Sequence, residues 1–482
     1  MTAPTAKTPH AEPQSLPLQA EGGNLSHYAQ QIETLALKLG LKFYPVDFEV
    51  VPNNFMMEIA VYGLPIRMPH WSFGVRYIHQ LIRQNMGHSH IFEVMFPGDP
   101  CHAYLVDSNS LPENTLVTAH VLGHADFARN NQLFARFMEM AGGHILEQAA
   151  ERAHRIEAAA AEFGPQKVEA VLDAALALEP HIDVNFELHR ALYPAQEAKP
   201  ADKPEAGVFE QRYRNLPGEH VAAAAPPPSA ARLVPPQPEY DLLWFIAHYA
   251  PDMEGWERDI FLAVREESFY FYPVFACQIM NEGWASYWHA RLLREADFLP
   301  DQVYLSAVKS HSDVVRPYAA ESQLALAINP YHLGFSIWES IIAEKGLDAA
   351  RQICREEDDF GFIRNYLTPE LADKLELFVY ETHQDGDIKI RNKDIHALRE
   401  AILAPKFNYG APRVAATSLH SDGSLELTHD YQSDGRGLDT GRAERVLEYI
   451  AKVWRRPVTL HTISESGASR DLKDRGHGLR FS

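Results

Sequence analysis

Two histidines four residues apart, His120 and His124, lie in the stretch 115-TLVTAHVLGHADFARNN-131. On a helix, positions i, i+4, i+8 and i+11 share one face. Leu116, His120, His124 and Phe127 occupy those positions, with Glu113 one turn earlier on nearly the same line. Both imidazoles therefore fall within an inward-facing stripe. An unpaired buried polar group costs about 1–3 kcal/mol, so each ring needs a partner. A hydrogen-bonded core histidine meets that need, and so does a cation shared by the pair, because this spacing points both rings at one small ion.

Two ligands do not hold a metal, and a second segment supplies what is missing. In 278-QIMNEGWASYWHARLL-293, Glu282 and His289 are seven apart, two helical turns along one face. Ile279, Ala285, Trp288 and Leu292 make their surroundings strongly apolar. A carboxylate in that setting must be paired or metal-bound. The readings open for Glu282 are a structural ion pair, a helix cap, or a third ligand beside His120 and His124. Three ligands leave a fourth position open, as catalytic zinc sites do. His289 could complete a closed site or begin a second one. A set of histidines and a carboxylate suits Zn, Fe or Mn.

The elements that must position these groups can be read from the chain. Residues 1–24 are polar, rich in Pro and Ala, and expected to be a disordered tail. A helix is expected from about residue 27, stopped by Gly40, and 90-HIFEVMF reads as a strand running into the turn Pro97-Gly98-Asp99-Pro100. Asn109 or Ser110 starts the histidine helix, with Pro112 in its first turn. Helical patterning follows over 132–192. Residues 196–239 are too rich in Pro and Ala to continue it and read as a flexible insertion. Helices resume from 240 to about 367.

The last segment, 368–482, changes pattern. Hairpin signals at Asp385-Gly386 and Asp422-Gly423 alternate with helices at 394-DIHALREAIL and 440-TGRAERVLEYIAKVW. The expected fold class is a mainly α-helical domain over 25–367 with a small α+β C-terminal domain.

Composition bounds the function. The chain of 482 residues carries a net charge of -21 and no dense basic stretch, which argues against nucleic acid as a partner. It lacks a signal-peptide-like start and any run of about 18 apolar residues, so no membrane span is expected. Three cysteines, widely spaced, exclude a disulfide framework and suit a reducing compartment, so a cytoplasmic location is expected. There is neither a Gly-rich phosphate loop nor a Gly-x-Ser-x-Gly elbow. The acidic run 354-CREEDD reads as a solvated helix end, and 269-FYFYPVF as core or pocket lining. His88 and His90 share a strand face or lie in a solvated loop.

Five motifs, 68-MPHWSFG, 118-TAHVLGHADFARNN, 279-IMNEGWASYWH, 309-KSHSDVV and 329-NPYHLGF, occur in this order. With them the chain resembles the SpoVR family, the stage V sporulation protein R-like proteins. The resemblance runs over roughly 27–340 and extends to that family's smaller C-terminal region. It implies a link to spore cortex formation in spore formers, in a family that also occurs in bacteria that make no spores. It supplies a process and no reaction.

A local resemblance is more mechanistic. NEGWASYW is similar to the glutamate-bearing helix of gluzincin aminopeptidases, whose Glu is the third zinc ligand, which maps onto Glu282. The matching histidine helix is HExxH in those enzymes. Here it reads His120-Val121-Leu122-Gly123-His124, so a valine stands where they carry the catalytic glutamate. Hydrolysis needs a proton acceptor that valine cannot provide. Asp126 and Asp313 are the candidate replacements. Glu113 is a candidate for supporting an imidazole from behind, and His311 and His332 are candidates for the same support, for extra ligands or for proton donors.

Three functions follow as expectations. The first is a metal-dependent hydrolase acting on envelope or spore-coat precursors. The second is a non-catalytic, metal-stabilised scaffold with protein partners in sporulation or stress signalling. The third is a redox-active iron or manganese protein.

Overall fold

The structure is a computed structural model of the whole chain. It describes residues 23–85, 93–141, 144–193, 234–315, 329–377, 379–382, 388–392 and 394–476. Helices dominate, with a four-stranded sheet and its helix near the C terminus. No helix among the described residues is long and apolar enough to cross a membrane. Two compact units divide the chain, each made of two segments: 1–151 with 270–404, and 152–269 with 405–482.

In the first unit a short sheet is built from β1 (Val46–Val51), β2 (Glu93–Phe96) and β3 (Cys101–Val106). Its order is β1-β3-β2, with β3 parallel to β1 and antiparallel to β2. The expected turn at Pro97–Pro100 joins β2 to β3. The helix Leu111–Asn130 then starts at Ser110, the second of the two expected caps, which closes a capping box with Glu113. Every residue from Asn114 to Ala128 is buried, as in a helix enclosed on all sides by protein.

Small residues let three helices of this unit cross at very short range. A Cβ added at Gly123 would lie 2.6 Å from Ala285 Cα, in the helix Gln278–Glu295. One added at Gly283 would overlap the Gly334 carbonyl carbon, in the helix Pro330–Lys345. One added at Gly334 would overlap the Ile279 carbonyl oxygen. Trp284, Trp288 and Trp338, each 0% exposed, fill the core beside these crossings. The Trp338 indole N–H donates to the Met280 carbonyl at 3.0 Å.

Asp359 departs from the solvated helix end expected of the 354–359 run. It is 0% exposed, and its two carboxylate oxygens accept the backbone N–H groups of Ile279 and Met280, each at 2.9 Å. Those groups sit in the first turn of a helix, where no intrahelical acceptor exists for them. The aspartate therefore anchors the start of the Glu282 helix.

The second unit is organised by a four-stranded sheet: β6 (Val414–Leu419), β7 (Leu425–His429), β8 (Val458–Ile463) and β9 (Ser469–Asp474), in that order. Gly423, at φ +84°, makes the tight turn expected at Asp422-Gly423 between β6 and β7. The helix Thr440–Trp454 crosses from β7 to the parallel β8. Glu239 pairs with Ala416 and extends the sheet beyond β6. The pair β4 (Val379–Thr382) and β5 (Ile388–Asn392) is antiparallel and belongs to the first unit. Its turn at Asp385-Gly386 lies outside the described residues, as do His88, His90 and most of the Pro-rich stretch.

Candidate metal centre

The helix Leu111–Asn130 divides its side chains by direction. Val117 and Val121 pack on Ala103 and Leu105 of β3. Gly123 meets the Glu282 helix. His120 and His124 face Glu282. The Glu282 Oε2 atom lies 3.5 Å from His120 Nε2 and 3.4 Å from His124 Nε2. These three are one of two groups among the described residues whose ligand atoms all lie within 4.8 Å of one another.

Each imidazole is held from behind through its other nitrogen. His124 Nδ1 donates to Asn281 Oδ1 at 2.9 Å, which leaves its Nε2 free to present a lone pair. His120 Nδ1 is 2.9 Å from His289 Nδ1, and His289 Nε2 is hydrogen-bonded to His311 Nδ1. With His120 in the same tautomer as His124, protons sit on His120 Nδ1 and His289 Nε2, pointing outward along the chain. Ligand histidines in metal sites are fixed by this kind of outer partner.

The fit to an ion can be tested on the geometry. Glu282 Oε2 is buried and makes no hydrogen bond of normal geometry among the described residues; its partners are the two ring nitrogens that flank it at 3.4 and 3.5 Å. Tetrahedral bonds of 2.0–2.1 Å require ligand atoms roughly 3.3 Å apart, close to the two separations here. The donor set and its spacing therefore fit a divalent ion. The second group, Asp183, His189 and Glu239, differs. Glu239 Oε2 accepts from the Tyr193 hydroxyl at 2.6 Å and from His189 Nε2 at 3.2 Å, and Oε1 accepts from the Asp241 N–H. That carboxylate is already satisfied.

Electrostatics follow the same arrangement. Burial opposes ionisation of Glu282, but the charge on His124 and the two neighbouring imidazoles outweigh it and hold the carboxyl at about 2. His124 is raised: burial works against its charge, and Glu282 prevails. His120 is lowered to about 4, by burial first and then by the His124 charge. Burial also drives His289 well below its ordinary value.

Two neighbours went unremarked in the sequence. Glu93, the first residue of β2, places Oε1 3.8 Å from His120 Nε2, and burial pushes its carboxyl up to about 7. Tyr331 stacks on His120 with ring centroids 6.1 Å apart. Its hydroxyl is held well above the usual range, first by the Glu282 charge and then by burial. The signal for Glu93 was a lone carboxylate in the apolar strand 90-HIFEVMF. Tyr331 lies in the motif 329-NPYHLGF beside His332, where residue type and spacing alone mark no chemistry for it.

The remaining candidates lie away from the cluster. Asp126 accepts from the Lys42 N–H at 2.6 Å and the Trp284 indole N–H at 2.9 Å, so it ties the core together. Burial raises it to about 6. Asp313 is exposed on the helix Asp301–Val314. Glu113 Oε2 accepts from the Ser110 N–H and hydroxyl at the helix start, and so is engaged in the cap. His289 meets the site through His120 and is not among the three converging ligands. His311 is one step further out, and His332 is lowered by burial against a hydrogen bond to the Val315 backbone.

The family model for SpoVR like protein matches residues 20–410, and that for the SpoVR-like C-terminal domain matches residues 413–465. The chain is 28% identical over 483 residues to the uncharacterized protein YcgB of Escherichia coli (strain K12), covering 92% of each chain. No solved structure gives a significant match.

Proposed function

The chain belongs to the SpoVR family, and from that premise we propose that it is a metal-dependent hydrolase binding one divalent ion through His120, His124 and Glu282. The observation that carries the reading is the convergence of the buried Glu282 Oε2 with two imidazole nitrogens at 3.4 and 3.5 Å. Zinc is the first choice, and the same donors accept iron or manganese. Such an ion, when bound, supplies Lewis acidity and lowers the pKa of a coordinated water toward neutrality.

The chain's own residues have separable tasks. Asn281 sets the tautomer of His124, and His289 engages Nδ1 of His120. Glu93 Oε1 lies 3.8 Å from His120 Nε2 and is the carboxylate within reach of a proton released there. It takes the role for which the sequence offered Asp126 and Asp313 as candidates. Tyr331 stays protonated and can donate to a substrate oxygen. The substrate class suggested by the family's process is an envelope or spore-coat precursor.

A second reading, a metal-stabilised scaffold acting through protein partners, is favoured by Val121, fully buried where gluzincins carry their base. Metal analysis of full-length protein purified without chelator tests the shared premise. One equivalent is expected in the parent, and less than a tenth of that in His120→Ala and Glu282→Gln. A full complement in both variants rejects the ligand assignment. Between the two readings, the scaffold requires chelation to lower the melting temperature while Glu93→Gln changes nothing measurable.

A further inference from the structure

The second unit contains a cavity of about 400 Å³, unrelated to the metal centre, at the low end of the range typical of small-molecule pockets. It opens beside the helices Pro165–Ala177 and Thr440–Trp454 and the four-stranded sheet. Leu242, Leu427, Leu447, Ile450 and Leu460 make its wall mostly aliphatic. His181 also lines it. This residue is only 9% exposed, yet its ring nitrogens are not among the buried polar atoms without a partner and remain accessible at the cavity wall. Its backbone is fixed at both ends, by an N–H bond to the Leu178 carbonyl and by the Leu242 N–H donating to its own carbonyl.

An imidazole whose nitrogens stay accessible at the wall of an aliphatic cavity takes its hydrogen bonds from whatever fills that cavity. We propose that this cavity binds a small, uncharged, apolar molecule bearing one hydroxyl group, with His181 as its hydrogen-bonding partner. The match is chemical. A neutral imidazole offers one donor and one acceptor, and a hydroxyl offers the same pair. Burial holds His181 in the neutral form, lowering it to about 4.

Charge at the rim argues against an ionic ligand. Arg436 is engaged by Asp434 and Arg442 by Asp439, each at 3.3 Å, and Glu465 adds a further acid. A charged headgroup would therefore meet no fixed counter-charge inside and a balanced set outside. An apolar body without a polar group would bury the imidazole still deeper and leave it unpaired.

The test compares two probes of one shape, 2-naphthol and naphthalene, by calorimetric titration of the full-length chain. The parent should bind 2-naphthol about 10-fold more tightly than His181→Phe does, the worth of one buried hydrogen bond. Naphthalene should bind both within about twofold, which also shows that the variant keeps its cavity. Val446→Trp, which fills the half-buried wall, should lose both probes. Absence of 2-naphthol binding to the parent overturns the proposal. Equal 2-naphthol affinity in His181→Phe, or undiminished affinity in Val446→Trp, does so as well.

Discussion

Asn281 and His289 do for the two imidazoles what neither could do alone: each occupies one ring nitrogen, so the other has a single remaining direction to face. Asn281→Ala should therefore lower metal affinity about 10–100-fold with little change in fold, measured by competition with a chromophoric chelator. An unchanged affinity would place the asparagine outside the site's workings. His181 carries a different prediction. Its folded value, about 4, lies below its ordinary 6.5, so protonation favours the unfolded chain. Its stabilising contribution is complete above about pH 6.5 and is lost as pH falls through about 4, to a limit of about 3 kcal/mol at roughly 1.36 kcal/mol per unit. The drop in melting temperature between pH 7.5 and pH 5 should shrink in His181→Phe. The histidine pair and Glu282 were legible because i, i+4 and apolar surroundings are local properties of a helix. Glu93 was not, since its relevance arises only when β2 lies beside a helix that follows it in the chain.

Helix crossings, more than loops, set the dimensions of the centre. Gly123, Gly283 and Gly334 sit next to or near the functional residues His124, Glu282 and Tyr331, and each removes a side chain where two backbones meet. Gly334→Ala should push the Pro330–Lys345 helix away from the Glu282 helix and cost about 1–3 kcal/mol. The same substitution should weaken metal binding, because Tyr331 and Glu282 move apart together. Denaturant titration and metal competition on one preparation measure both effects. Loss of stability with full metal affinity would mean that the crossings support the fold alone. The sequence displays these glycines plainly, but propensity marks a mid-helix glycine only as a weakness. What it stands against can be read only once the neighbouring helix is in place.

At the scale of the molecule, all three proposed ligands fall in one unit and the cavity falls in the other. Calorimetry is expected to resolve two transitions, of which zinc raises only the one containing the first unit. At zinc about 1,000-fold above Kd, the gain is about 4 kcal/mol. A single transition moved as a whole by zinc would contradict that expectation. The mainly helical class and the α+β end were legible from periodicity and turn residues, with Gly423 and Ser110 where turn and cap chemistry put them. The two-segment make-up of each unit was not, because contacts between residues far apart leave no periodic trace. The same distance governs what can be cut. The Glu282 helix is moored at its first turn by Asp359, a residue downstream of every proposed ligand. A fragment ending before that aspartate would contain the entire ligand set and still lack a centre, so minimal versions of this protein must be designed around its anchors and not around its chemistry.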